Sequence, residues 1–369
     1  MEKEKHYIGW GQLLLLLFMC RVFTLMTFVP FARDGDGLTL RLTAAAVSTA
    51  VQAVLLIPAV MLKKSATEVI ISKNKPCGVI AAALYLLFFL VVTANSLVHF
   101  QSFLSARFFP YADSLVWIGV MLIVCVYCAC LGTEALGRSA VLLFWIFVIS
   151  LAAMAISSAK EADSANLYFE PLAADGLFSA VLDDLSRSGE ICAAVFLAGR
   201  VRPAEQNKSA GKGRSGLRRG VYGLLASKLV LAETVMLMIA AVLGDFALLS
   251  DYPFLALGTF GGERFIQRAD SLYLIVWTIT AVLNVSLFLH IAAGLFGEVF
   301  PKMKFRTAVP ALIVFALLPL ATSSGKYFSQ LRSAVCSGWA VILLAGIIPL
   351  AALIASKISL TGKEEKSKA

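Results

Sequence analysis

The chain has 369 residues, of which 59% are hydrophobic and 15% are charged, and its mean hydropathy is +0.84. A soluble domain carries about 25% charged residues, so this composition excludes soluble domains, a disordered chain, a fibrous protein and a disulfide scaffold. The net charge of +9 does not indicate a nucleic-acid partner, because most Lys and Arg residues lie in short segments between apolar runs. The composition predicts an all-α membrane protein with several spans.

Ten apolar runs have about the length that a helix needs to cross a bilayer, which is roughly 20 residues. In chain order they cover residues 8–31, 38–62, 78–103, 114–131, 140–155, 177–197, 220–243, 272–296, 308–320 and 334–353. We therefore expect residues 1–369 to form a single transmembrane domain with ten transmembrane helices.

The distribution of basic residues predicts the orientation of these spans. With the N-terminus in the cytoplasm, 21 Lys and Arg residues fall on the inner side and 8 on the outer side. This excess predicts that both termini are cytoplasmic and that residues 357–369 form a cytoplasmic tail. The most basic segment, 200–219, becomes a cytoplasmic loop. It either sets the orientation alone or also binds anionic lipid heads or a cytoplasmic partner.

Three basic residues, Arg21, Arg187 and Lys228, lie inside apolar runs instead of between them. A charged side chain at bilayer depth costs at least ~2.5 kcal/mol, so each marks a candidate functional position. Lys228 is close enough to the cytoplasmic end of span seven for its ammonium group to reach the membrane interface.

Span six carries the sequence DDLSRSGE at residues 183–190, which is a poor continuous helix. Glycine weakens a helix by about 1 kcal/mol relative to alanine, so we predict two half-helices that meet at an unwound Ser188–Glu190 segment. Unwound backbone survives in a membrane only where it lines a cavity or is covered by protein. As an alternative, Arg187 could pair with the aspartates three and four residues earlier in a purely structural role.

Spans one and six are five spans apart, and both carry a charged interruption. This spacing predicts a five-plus-five inverted repeat, with repeat one at about 8–157 and repeat two at about 174–355. Interrupted spans in matching positions of two halves point to a binding site near the bilayer midplane. The sequence thus predicts a polar site between interrupted spans one and six.

Other polar residues give weaker signals. Asn95 and His99 share a face of span three, and Asn284 lies in span eight, where hydrogen bonding between helices is the alternative role. No metal site is predicted, because the C-x-x-C-x-C cysteines of span four have no His or carboxylate nearby. No catalytic residue or cofactor is predicted, because the sequence carries no intramembrane protease pattern and no HExxH.

The stretch YPFLALGTFGGERFIQRADSLYLIVWTITAVLNVSLFLHIA (Tyr252–Ala292) resembles the signature region of the endospore germination permeases. In that pattern an aromatic-rich outer segment leads to an Arg-x-Asp near the start of span eight and then to a Trp. Here those residues are Arg268, Asp270 and Trp277, and Pro30 closes span one as in the family. The Gly-Glu within Ser188-Gly189-Glu190 resembles the break in the family's span six.

The resemblance implies a B subunit of a spore germinant receptor, a member of the amino acid–polyamine–organocation superfamily with the five-plus-five fold. It implies assembly with a second membrane subunit and a lipoprotein in the bacterial cell membrane or spore inner membrane. It also implies a small germinant, such as an amino acid, bound between spans one and six with help from spans three and eight. With Arg187 added from span six, the candidate ligand-binding residues are Cys20, Arg21, Val22, Asn95, His99, Arg187, Ser188, Gly189, Glu190 and Asn284.

The sequence departs from the family at both breaks. Cys20-Arg21-Val22 replaces a Gly-containing segment, and Leu185 to Ser188 replaces an aromatic-Pro-aromatic motif. An arginine at each break would either attract a carboxylate or tether the site shut. The function expected is a ligand-sensing, permease-like receptor subunit. The alternatives are a secondary amino acid transporter, in which Glu190 could carry a coupling proton, and a structural subunit with a degenerate site.

Overall fold

The computed structural model describes residues 8–27, 37–62, 64–107, 114–172, 174–200, 213–260, 269–303, 306–322 and 326–357. Pro30, Arg268, residues 201–212 of the basic segment and residues 358–369 lie outside these ranges. Within them the helices are α1 (Trp10–Thr27), α2 (Leu38–Met61), α3 (Ala66–Lys73), α4 (Lys75–Arg107), α5 (Ser114–Ser158), α6 (Ala174–Ser186), α7 (Gly189–Leu197), α8 (Gly213–Leu243), α9 (Phe246–Leu249), α10 (Pro253–Phe260), α11 (Ala269–Val299), α12 (Ala308–Thr322), α13 (Lys326–Val335) and α14 (Gly338–Ile342).

Seven helical stretches among the described residues are long and apolar enough to cross a membrane. They are Trp10–Thr27, Leu38–Met61, Lys75–Ser105, Val116–Ser158, Arg219–Leu243, Tyr273–Val299 and Lys326–Lys357. The segment Ala308–Pro319 adds a shorter apolar helix. These stretches make the chain an all-α, multi-pass membrane protein.

The predicted spans four and five are joined in one 45-residue helical element, α5, instead of being separated by a loop around Arg138. The predicted loop is helical, and an i,i+4 ion pair of 2.6 Å between Arg138 and Glu134 lies within it. The backbone leaves the helical region only at Gly132, where φ is 88° and ψ is 173°. Such a conformation is almost restricted to glycine, so the actual division of α5 lies at this residue.

The predicted span ten, residues 334–353, begins at Gly338 in the structure, which is the first residue of α14. Residues up to Val335 belong to α13, a separate helix with a polar composition, and Ser337 caps α14 by accepting a hydrogen bond from the Ala340 amide over 3.2 Å. The last helix then passes through a π turn, Leu343–Ile347, into helical residues 348–357. The Tyr85 hydroxyl of α4 donates to the Leu344 carbonyl within this π turn.

The core of the bundle lies around α1, α4 and α11. Helix α11 packs against α4 and α5, while α1 packs against α5, α8 and α11. Trp277 of α11 donates from Nε1 to Thr27 Oγ1 over 2.9 Å, and its ring stacks on Phe100 with centroids 5.3 Å apart. The Tyr273 hydroxyl donates to the Met26 carbonyl over 3.1 Å. These contacts fix the end of α1 against α11.

The remaining helices close the other side of α1. Helix α2 packs against α6 and α8, and α1 contacts both α7 and α8. The boundary between α6 and α7 therefore faces α1, α2 and α8 together. All the charged side chains of the site described below come from these helices and the segment between α6 and α7.

Candidate functional site

The predicted interruption of span six is present, one residue earlier than expected. Helix α6 ends at Ser186 and α7 begins at Gly189, so Arg187 and Ser188 form the break. Ser188 has φ of −97° and ψ of 47°, which lies outside the helical region. Glu190 belongs to the first turn of α7, where a carboxylate is stabilised by the partial positive charge of the helix end. The prediction that Gly189 and Glu190 are unwound was therefore wrong.

The predicted interruption of span one was also wrong. Helix α1 runs without a break from Trp10 to Thr27, through Cys20, Arg21 and Val22. The physical reason is local, because this segment contains neither glycine nor proline, and arginine is a good helix former. The long side chain of Arg21 reaches the end of α6 without any unwinding of its own helix.

Arg21 binds the C-terminal end of α6 through three hydrogen bonds. Its Nη2 donates to Asp184 Oδ1 over 2.8 Å, and its Nη1 lies 3.4 Å from both the Arg187 carbonyl and Ser188 Oγ. The guanidinium thus interacts with a carboxylate and with the carbonyl end of a helix, both of which favour a cation. Arg21 and Asp184 are 5% and 9% exposed, so this is a buried ion pair.

Lys228 of α8 binds the opposite side of the break. Its Nζ donates to Glu190 Oε1 over 2.7 Å, to Gln52 Oε1 over 2.5 Å and to Ser188 Oγ over 3.1 Å. An ammonium has three N–H donors, and these three oxygens match them. The side chain is 2% exposed, so the prediction that it extends to the interface was wrong.

Ser188 and Gln52 connect the two ion pairs. Gln52 Nε2 donates to Ser188 Oγ over 3.1 Å and to Ser48 Oγ over 3.0 Å. The Ser188 hydroxyl itself donates to the Asp184 carbonyl over 3.0 Å. Its oxygen therefore lies within hydrogen-bonding distance of donors from Arg21, Gln52 and Lys228. The two buried pairs form one continuous polar network, which we call the break network.

A more exposed ion-pair group lies beside the break network. Arg187 donates to Asp183 Oδ2 over 2.7 Å, in the i,i+4 geometry that the sequence offered as a structural role. Arg41 of α2 lies 3.4 Å from the same carboxylate oxygen. The other aspartate, Asp184, pairs with Arg21.

The charges of the break network balance. Arg21 and Lys228 carry two positive charges, and Asp184 and Glu190 carry two negative charges. Removing one member of a buried pair leaves an uncompensated charge, which typically destabilises a protein by about 3–5 kcal/mol. The network therefore ties α1 and α8 to the two half-helices of span six.

Asn284 and Asn95 contact residues outside the break network. Asn284 donates to Ser96 Oγ over 3.2 Å, which is hydrogen bonding between α11 and α4. Asn95 accepts from Arg332 Nη1 over 3.5 Å. His99 lies within electrostatic range of Arg332 and Arg187. The polar side chains that bind the break within the described residues come from α1, α2 and α8. The predicted role of spans three and eight in ligand binding stays a prediction.

Sequence reasoning missed Gln52, Ser48 and the role of Lys228. A glutamine within the apolar run of α2 was the available signal, but its partners Ser188 and Lys228 lie more than 130 residues away in the chain. Cys20 and Val22 flank Arg21 and are buried in the apolar core. Within the described ranges no group of three His, Cys, Asp or Glu residues could hold a metal ion.

Comparison with known proteins identifies the family of this chain. Residues 49–327 match the spore permease family, whose description is "Spore germination protein". Spore germination protein KB of Bacillus subtilis (strain 168) is 25% identical over 217 residues, which cover 56% of this chain and 55% of that protein. The chain thus matches about half the length of this curated relative.

Similar solved structures are transporters. Mhp1, a nucleobase-cation-symport-1 family transporter in a closed conformation with bromovinylhydantoin bound, has a TM-score of 0.63 at 14% identity, covering 93% of this chain and 77% of its own. MhsT in complex with L-phenylalanine has a TM-score of 0.62 at 16% identity, covering 92% and 87%. A manganese transporter of Eremococcus coleocola has a TM-score of 0.55 at 13% identity, covering 97% and 78%.

At these identities the similar structures show the fold alone, which is the fold that these transporters have. The family match covers most of the chain and agrees with the multi-pass helical structure. The chain therefore belongs to the spore germination permease family.

Proposed function

We propose that this chain is the permease-like, ligand-sensing membrane subunit of a spore germinant receptor, and that a small germinant such as an amino acid binds at the span-six break. The observation that carries the proposal is the break network, in which two buried ion pairs hold both half-helices of span six. A membrane protein retains such charges mainly where they are used, because they are costly at bilayer depth.

The proposed topology has ten spans in a five-plus-five inverted repeat, with both termini in the cytoplasm. Its support is the division of α5 at Gly132, the pairing of α6 with α7 in one span, and the short apolar helix α12. If the two parts of α5, the α6–α7 pair and α12 are each counted as a span, α1–α5 belong to repeat one and α6–α14 belong to repeat two.

In the proposed mechanism a ligand acts by competing for groups that are already paired. A germinant carboxylate would compete with Asp184 for Arg21, using charge-assisted hydrogen bonds. Exchange of one pair would loosen α6 from α1 and shift the population between outward-facing and inward-facing arrangements. A second membrane subunit and a lipoprotein would detect that shift, and the spore inner membrane would be the site of assembly.

A secondary amino acid transporter is the second candidate function. The similar folds of Mhp1, MhsT and the manganese transporter favour it. In that role Glu190 would carry a coupling proton, because protonation of its carboxylate would weaken its ion pair with Lys228. Transport of an amino acid and sensing of an amino acid require the same site and differ in whether the ligand crosses the bilayer.

The experiment that separates these functions uses the full chain in two assays. The receptor proposal expects amino acids to raise the melting temperature of the purified chain without uptake of labelled amino acid into vesicles that contain it. Glu190→Gln should abolish this stabilisation, while Glu134→Gln, in the exposed pair with Arg138, should retain it. Uptake by the chain alone would support the transporter. Neither uptake nor stabilisation by any amino acid would favour the structural subunit.

A further inference from the structure

The two faces of the span-six break differ in chemistry. At Gly189 the side of the break toward α4 and α11 is apolar, because a Cβ atom there would lie 3.5 Å from the Phe288 ring and 3.7 Å from Val92. Toward α2 and α8 the break carries the polar groups that bind Gln52 and Lys228. A charged ligand group is therefore better matched to the α2/α8 face than to the α4/α11 face.

A cleft opens on the α2/α8 face of the break network. Its charged lining consists of Arg21, Arg41, Asp183 and Asp184, and its walls include the small side chains of Ala180 and Ala232. The free space between α2, α6 and α8 at the level of the buried pair of Arg21 and Asp184 is narrow, about 10 Å³, so the cleft must widen to admit a ligand. The cleft thus brings two guanidinium groups and two carboxylates to one opening.

Arg21 has one buried donor that is not used in this structure. Its Nε has no hydrogen-bond partner in the described part of the chain, although the side chain is buried. An unpaired buried donor is unfavourable for the folded protein. Nε and Nη2 form one edge of the guanidinium fork, and Asp184 is hydrogen-bonded to Nη2 but not to Nε. A carboxylate normally binds such an edge with both oxygens.

We propose that the cleft between α1, α2, α6 and α8 binds the carboxylate of a small organic acid or amino acid at the Nε/Nη2 edge of Arg21. This inference rests on the proposed function and assigns its ligand to the α2/α8 face of the break. The ligand carboxylate supplies the partner that Nε lacks and displaces Asp184 from Nη2. The alanine walls restrict the rest of the ligand to a small group.

The test uses sodium acetate as the probe, because acetate carries a carboxylate and no amine. The melting temperature of the purified full chain is measured against acetate concentration, with sodium chloride at matched ionic strength and methylammonium chloride as the amine-only probe. Acetate should stabilise the chain more than either salt. Arg21→Lys keeps the positive charge for Asp184 but removes the Nε donor, so the apparent Kd for acetate should rise about tenfold or more.

Two apolar substitutions test which face of the span-six break binds acetate. Ala232→Val narrows the cleft and should weaken acetate binding, while Val92→Leu adds bulk on the α4/α11 face and should leave it unchanged. If Arg21→Lys fails to fold, Ala232→Val tests the same cleft without touching the ion pairs. No acetate-specific stabilisation of the wild-type chain, or loss with Val92→Leu alone, would overturn the inference. The amino acid assays above would still test the proposed function separately.

Discussion

The Lys228 ammonium lies 2.7 Å from Glu190 Oε1, with side-chain exposures of only 2% and 3%, and this pair joins α8 to the first turn of α7. Together with the Arg21–Asp184 pair, it places a cation on each side of the span-six break. The half-helices are thus attached to two different helices, α1 and α8. A change in either pair would alter how α6 and α7 are held.

Removing one partner of the Lys228–Glu190 pair should strongly destabilise the protein. Lys228→Met leaves Glu190 buried without its cation, and we expect a loss of about 3–5 kcal/mol in the free energy of unfolding. The double variant Lys228→Met/Glu190→Leu removes both charges and should lose less than the sum of the two single variants. Thermal unfolding of the purified chain measures all three, and additive losses would contradict a direct pair.

The Ser188 hydroxyl should matter more than that of its neighbour Ser186. Ser188→Ala removes an oxygen that lies near donors from Arg21, Gln52 and Lys228, and we expect a loss of about 1–3 kcal/mol. Ser186 Oγ only donates to the Asp183 carbonyl, so Ser186→Ala should stay within about 0.5 kcal/mol. The melting temperatures of the two variants test this order, and equal losses would show that the Ser188 hydroxyl has no special role.

The sequence predicts the break in span six because its signal is local. Ser188-Gly189 interrupts an apolar run, and the charges around it appear within eight residues. The error in span one has the opposite cause, since a charged side chain does not by itself unwind the backbone of a helix. Helix α1 contains no residue that disfavours a helix near Arg21, and its continuity follows from that.

The partners in the break network could not be predicted from the sequence. Lys228 and Glu190 lie on different helices, and so do Arg21 and Asp184, so only the packing of α1, α2, α6 and α8 determines which charges meet. A helix that is apolar on all sides has no amphipathic pattern, so the sequence does not predict which of its faces packs against which neighbour. Membership of the family was predictable because its signature residues are contiguous.

Gly132 should be intolerant of substitution, whereas another glycine of α5 should not be. A Cβ at Gly132 would meet no atom within 4 Å, so the expected loss of about 1–3 kcal/mol for Gly132→Ala comes from the backbone alone. Gly119 is helical and also faces open space, so Gly119→Ala should be neutral or stabilising by up to about 1 kcal/mol. Thermal unfolding compares the two variants, and equal tolerance would argue against the division of α5 at Gly132.

Cysteine labelling tests the proposed orientation. In a background with exposed Cys77 and Cys130 replaced by serine, Ser164→Cys should react with a membrane-impermeant maleimide in intact cells. Ser209→Cys, in the basic 200–219 segment, should react only after the membrane is permeabilised, because basic segments stay on the cytoplasmic side. The reverse pattern would invert the topology, and labelling of both in intact cells would refute the proposed span count.

The germination response of spores is the most direct measurement of the central claim that the break network is the ligand-responsive site. Spores carrying Arg21→Ala or Glu190→Gln are compared with wild type at equal amounts of the chain in the spore membrane, with Glu134→Gln as the matched control. We expect both network variants to lose the response to the germinant and the control to keep it. A normal response from both Arg21→Ala and Glu190→Gln would contradict the assignment of the site.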